Sequence, residues 1–90
     1  MPTKAVDLVK LISATQEEVL GSNPSRTYAL LVNDGDNIIY LGMGIPAVTN
    51  RGIRLNTKGG NYEINLTNPW HGSIHAVTAA LTSSLTVQEW

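Results

Sequence analysis

Short apolar runs with a period of two, separated by clusters of Gly, Asn, Asp, Pro and Ser, fill the chain from Tyr28 onward. That period belongs to β-strands, whose successive side chains point to opposite faces. Residues 28–42 (YALLVNDGDNIIYLG) read as a hairpin turning at Asp34-Gly35, where Gly35 can take the positive φ of a tight turn. Leu30 and Val32 face one way and Ala29 and Leu31 the other, so this strand is expected in the interior or under a neighbouring subunit. A second hairpin sets Ile53 and Leu55 against Tyr62, Ile64 and Leu66 around the turn at residues 56–61, with one face buried and the other wet. A third joins residues 73–79 to 84–89 through Leu81-Thr82-Ser83, with Ile74, Ala76, Leu85 and Val87 on its inner side.

The first twenty residues fit two periods. Leu8, Leu11, Ile12, Thr15 and Val19 lie on a helical stripe, whereas Val6, Leu8, Ile12 and Ala14 follow a broken alternation. The β-rich remainder favours strands near residues 7–13 and 16–20, closed by the turn Gly21-Ser22-Asn23-Pro24-Ser25. Residues 42–52 form the longest irregular stretch, and Met43, Ile45 and Val48 in it are apolar with no strand period to bury them. The pattern therefore predicts an all-β fold, a compact antiparallel β-sandwich of about seven or eight short strands, jelly roll or another sandwich. Residues 1–14 are expected as an amino-terminal arm or first strand, and residues 15–90 as the sandwich domain.

At 90 residues the chain has little core to spare, and self-association would help it. It has no cysteine, so neither a disulfide framework nor a thiolate metal site is expected. Six basic residues (Lys4, Lys10, Arg26, Arg51, Arg54 and Lys58) are scattered among seven acidic ones, which argues against a nucleic-acid partner. No apolar run approaches the ~20 residues of a membrane helix. Asp7, close behind Lys4, does not match a signal peptide, so a soluble protein made in the cytoplasm is expected.

No catalytic, cofactor-binding or metal residues are assigned. His71 and His75 sit on a turn and a strand rather than one helix face, and at ~3.3 Å per strand residue they are too far apart to share a metal. Asp34 and Asp36 flank a turn glycine and lack the further oxygen ligands of a calcium loop. Gly59-Gly60 precedes no helix, which removes a phosphate cradle. No Gly-x-Ser-x-Gly elbow is present, and Ser73 lies near both histidines by spacing alone. Trp70 and Trp90 have two readings, as caps on the core or as subunit contacts. The interface candidates are Met43, Ile45, Val48, Trp70 and Trp90.

Several segments together resemble one group of proteins: Asn23-Pro24-Ser25-Arg26, residues 29–35 (ALLVNDG), Ile39-Tyr40-Leu41-Gly42, Gly52-Ile53-Arg54-Leu55, residues 59–64 (GGNYEI), Asn68-Pro69-Trp70-His71-Gly72 and residues 85–90 (LTVQEW). In this order they are similar to small virion structural proteins of tailed bacteriophages and prophages, over residues 15–90. The loop Met43-Gly44-Ile45-Pro46 is less polar than in that group, and the first fourteen residues have no counterpart.

The resemblance implies a non-enzymatic β-sandwich of the virion, expected in the phage head as a capsid decoration (cement) protein on the major capsid protein or other virion proteins. With the charge scatter, the short apolar runs and the missing motifs, no cofactor, no nucleic acid and no membrane is expected. A homo-oligomer is expected, a trimer by preference, because trimers suit the local three-fold positions of a capsid lattice. A tail, neck or fibre-associated subunit is the alternative within the same class. A carbohydrate- or receptor-binding module, with Trp70 and Trp90 as stacking platforms, is the alternative outside it.

Overall fold

The computed structural model describes residues 6–90, and its eight strands are β1 (Val6–Ile12), β2 (Glu17–Leu20), β3 (Ala29–Asn33), β4 (Ile39–Met43), β5 (Ile53–Leu55), β6 (Gly60–Ile64), β7 (Ile74–Thr78) and β8 (Ser83–Glu89). No helix occurs among the described residues. The strands form two four-stranded antiparallel sheets, ordered β1-β8-β3-β6 and β2-β7-β4-β5, here called sheets A and B. The all-β sandwich expected from the alternation is thus observed. The amino terminus enters as a strand rather than a helix, and the rest of the expected arm, residues 1–5, lies outside the described residues.

The pairing is nested. β1 pairs with β8, β2 with β7, β3 with β6 and β4 with β5, as in one long hairpin folded at residues 44–52. Rolling that hairpin brings β3 against β8 and β4 against β7 and splits the ribbon into two sheets. This is the jelly-roll arrangement.

It also corrects the three hairpins expected from the sequence. β3 and β4, β5 and β6, and β7 and β8 each lie in different sheets, so the turns between them cross the sandwich. Among consecutive strands, β4 and β5 pair directly, across the stretch that looked irregular. Gly35 does not take a positive φ. Its requirement is closeness, since a Cβ there would overlap the Ser83 hydroxyl and lie 2.7 Å from the Ser84 backbone nitrogen. Leu66, expected on a buried face, stands beyond the end of β6 and is 84% exposed.

Inward positions of both sheets build the core from Ile12, Leu31, Ile39, Leu41, Leu55, Ile64, Ile74, Leu85 and Val87. Asn33 has the same parity as Ala29 and Leu31 and is buried with them. Its amide donates to the carbonyls of Asn37 and Leu55, while its oxygen accepts from Gly35 N–H and the Ser83 hydroxyl. One side chain thereby ties β3 to the connection before β4, to the end of β5 and to the start of β8.

Connections at the Asn33 end are short, covering residues 13–16, 34–38, 56–59 and 79–82. Those at the opposite end are long, covering residues 21–28, 44–52 and 65–73, and residue 90 follows β8 there. Backbone hydrogen bonds knit the long loops together, from Asn23 N to His71 O (2.8 Å), from Gly44 N to Ser73 O (2.8 Å) and from Tyr28 N to Trp90 O (2.8 Å).

Candidate functional site

The five interface candidates all fall at or just beyond the long-loop end. What fixes that end is Arg26, whose side chain is 0% exposed. Its Nε donates to the Glu89 carboxylate, which also forms its ion pair. Its remaining nitrogens donate to the carbonyls of Trp70 (3.1 Å), Gly72 (3.0 Å) and Gly21 (2.8 Å). A planar guanidinium holds several acceptors at fixed angles, so this residue sets loops 21–28 and 65–73 against the end of β8. Three segments singled out in the sequence, Asn-Pro-Ser-Arg, Asn-Pro-Trp-His-Gly and the closing Glu-Trp, therefore meet at one buried cation.

Trp70 belongs to that support. It is half-buried against the core, donates its ring N–H to Ser73 O at 3.1 Å, and lies over Gly44 and Gly72. Met43 is a β4 residue, half-buried and packed on the core, and not a free loop side chain. Ile45 and Val48 are exposed and border a shallow pocket of about 90 Å³ with Pro46 and Arg51, well below the size of a small-molecule site. Between them Ala47 turns inward and is buried with Tyr40 and Val77 on the outer face of sheet B. The loop is thus a cover over sheet B whose apolar rim faces outward. Gly42 allows this, because a Cβ there would lie 2.5 Å from Ile45 O.

Trp90 has different surroundings. Its backbone continues the β3–β8 ladder by exchanging hydrogen bonds with Tyr28, and the two rings stack with centroids 4.5 Å apart and planes tilted by 32°. Such aromatic pairs contribute roughly 0.5–1.5 kcal/mol beyond their buried area. Trp90 remains 38% exposed and forms one wall of an open, mainly apolar cleft of about 520 Å³. Tyr28 and Leu66 form the other walls, with Thr27, Asn65 and Thr67 around them.

The polar side-chain atoms of Thr27, Tyr28, Asn65 and Thr67 are already engaged. Thr27 Oγ1 donates to Trp90 O, Asn65 Oδ1 accepts from Thr67 N–H, the Thr67 hydroxyl and Asn68 N–H, and Asn65 Nδ2 donates to Glu63. The Tyr28 hydroxyl donates to the other Glu63 oxygen. This hydrogen bond, with smaller contributions from burial and the carboxylate charge, raises the Tyr28 pKa above 10.0.

Ser73, His75 and Gln16 also come together, which spacing alone did not predict. His75 Nε2 lies 3.4 Å from Ser73 Oγ, and Nδ1 lies 3.1 Å from Gln16 Oε1. The order nucleophile, base, orienting group is that of a triad, but the Ser–His contact is long and the orienting group is a neutral amide. Gln16 Oε1 also accepts from Ala47 N–H at 3.3 Å, so the trio pins loop 44–52 across sheet B. No group of three or more metal-ligating side chains occurs among the described residues.

Arg26 and Asn33 were not among the sequence candidates. Asn33 carried a signal in its inward parity after two apolar residues, whereas Arg26 sits in a polar loop where the alternation is silent. No protein-family model, curated protein or solved structure shows a significant match to the chain.

Proposed function

We propose that this chain is a non-enzymatic structural protein of a tailed-phage particle, a capsid decoration protein that seats its long-loop end on the major capsid protein. The observation that carries the reading is the Tyr28–Trp90–Leu66 cleft. It is open and mainly apolar with two aromatic walls, and the side-chain polar atoms of Thr27, Tyr28, Asn65 and Thr67 are bound within the protein, so it suits an apolar side chain of another protein better than a polar substrate. Exposed tryptophan beside a pocket is a usual source of interface hot spots.

Two further features support the reading. The segments that resemble virion proteins converge on Arg26 and build this same end. Jelly rolls serve in viral capsid domains, although also in lectins and cupins, so the site and not the fold makes the argument. On a repeating lattice many modest contacts add to tight retention.

Quantitative mass spectrometry of purified particles tests the role, with hundreds of copies expected. A dozen or fewer would move the protein to the tail or neck, and none would overturn the virion reading. Trp90→Ala should weaken binding to undecorated particles by about 2 kcal/mol or more, roughly thirtyfold in affinity, with the fold retained. The Trp90 ring on Tyr28 also favours a second reading, a carbohydrate-binding module. Specific, Trp90-dependent binding on a glycan array by a chain that leaves particles undecorated would select it.

A further inference from the structure

A four-stranded open sheet has two edges, and exposed edges are normally blunted against pairing with other chains. Three of the four edge strands here are. β2 has four residues, two of them glutamates, and its register shifts between Glu18 and Leu20. β5 has three residues with Arg54 at its centre, and β6 starts on Gly60 and carries Asn61 and Glu63 outward. β1 differs: it has seven residues, no proline and an unbroken register with β8, and among the described residues β8 is its sole strand neighbour. On its outer face Val9 is 71% and Leu11 66% exposed. The one charge that would guard its inner face, Lys10, lies 3.8 Å from Glu17 of β2 and is matched by it.

We propose that β1 pairs antiparallel with β1 of a second copy about a two-fold axis midway between the two Val9 residues, joining the two A sheets into one eight-stranded sheet. The inference is independent of the virion reading. Charge and register select the occupant. A two-fold axis normal to the sheet keeps outer residues opposite outer residues, so the axis must lie between the two copies of one central residue. Centring on Asp7 would oppose two carboxylates and centring on Lys10 two ammonium groups, both unfavourable directly across a strand pair. Centring on Leu8 or Leu11 leaves part of β1 unpaired. Centring on Val9 matches all seven residues, sets Asp7 opposite Leu11 and Lys10 opposite Leu8, and opposes no like charges. A strand pair about 24 Å long is a small interface, at the weak end of specific contacts, so association depends on concentration.

Cysteine cross-linking tests the register directly, because the chain has no cysteine of its own. Opposed residues in an antiparallel pair have Cα atoms ~4.5–5.5 Å apart, within disulfide reach. Under mild oxidation at high concentration Val9→Cys should dimerise at least ~10-fold faster than Leu81→Cys, a control that is 76% exposed at the short-loop end. A mixture of Asp7→Cys and Leu11→Cys should favour the mixed dimer over either homodimer. In sedimentation, Val9→Lys should return the dimer to monomer with an unchanged circular dichroism spectrum.

Equal cross-linking of the Val9 and Leu81 variants would overturn the proposal. So would a three-chain species that Val9→Lys leaves intact. A chain that stays monomeric at millimolar concentration, and whose β1 amides gain exchange protection only on addition of another protein, would assign the edge to that protein and overturn the second copy.

Discussion

Arg26 concentrates more structural consequence than any apolar residue at its end of the sandwich. Removing a guanidinium from water is costly, and a carboxylate together with three carbonyls offsets that cost only while all four stay in place. Arg26→Leu strips those acceptors of their donor and should destabilise the domain by about 3–5 kcal/mol in urea denaturation. Small domains have only ~5–15 kcal/mol in total. A loss under ~1 kcal/mol would show that loops 21–28 and 65–73 hold themselves. Tyr28 gives a residue-level prediction in pH. Because its pKa is raised on folding, its bond to Glu63 contributes fully below the ordinary phenol pKa of ~10 and is lost as pH rises through the folded value. An ultraviolet phenolate titration of the native protein should show this tyrosine ionising late, and Glu63→Ala should bring it back toward the ordinary range. The sequence made one of the two buried polar hubs partly readable. Asn33 continues the Ala29–Leu31 parity, one of two apolar faces of its strand, whereas a loop arginine gives no local indication that carbonyls more than forty residues away surround it.

The alternation located the buried face of β7 and β8 correctly, as Ile74, Ala76, Leu85 and Val87 show, but left that of β3 open. What it could not locate was the partner. Two sheets packed face to face are ~10 Å apart, a gap that a few residues at ~3.3 Å each can span. The short connections 34–38 and 79–82 therefore look the same in sequence whether they close a hairpin or cross the sandwich. The opposite error hid the pairing of β4 and β5, since loop 44–52 is long enough to fold back over sheet B and its turn residues, Gly44, Pro46, Asn50 and Gly52, are spread along it and not gathered in a two-residue hairpin turn. At Gly42 the loop passes close to β4. Gly42→Ala should cost about 1–3 kcal/mol through overpacking. Limited proteolysis should then cut within residues 44–52 faster than in the wild type, whereas an unchanged cleavage rate would mean that the loop is held by Ala47 and Gln16 alone.

As a whole the molecule separates its duties by location. The short-loop end is tied by Asn33, the outer face of sheet B is covered by loop 44–52, and the long-loop end offers the aromatic cleft. The outer face of sheet A keeps exposed or half-exposed apolar residues at Val9, Leu11, Leu30 and Val32, in rows with Thr86, Ser84 and Gln88. The cleft and the β1 edge are distinct surfaces, so Trp90→Ala and Val9→Lys should act independently, one on particle binding and the other on self-association. Their double variant should show additive losses, measured as particle affinity and sedimentation mass together.

The position of β8 between β1 and β3 has a kinetic meaning as well. A strand that leaves the ribosome after the other seven is an interior strand of its sheet, so sheet A stays open while they emerge. Contacts as distant in sequence as Val6 with Glu89 form late, since long loops must close before such pairs stabilise anything, and refolding on the millisecond-to-second scale of non-local β-proteins follows. A chain interrupted before Ser83 would present β1 and β3 as bare neighbouring edges, the kind of intermediate that aggregates. Synthesis of β8 is thus the step that closes sheet A between β1 and β3.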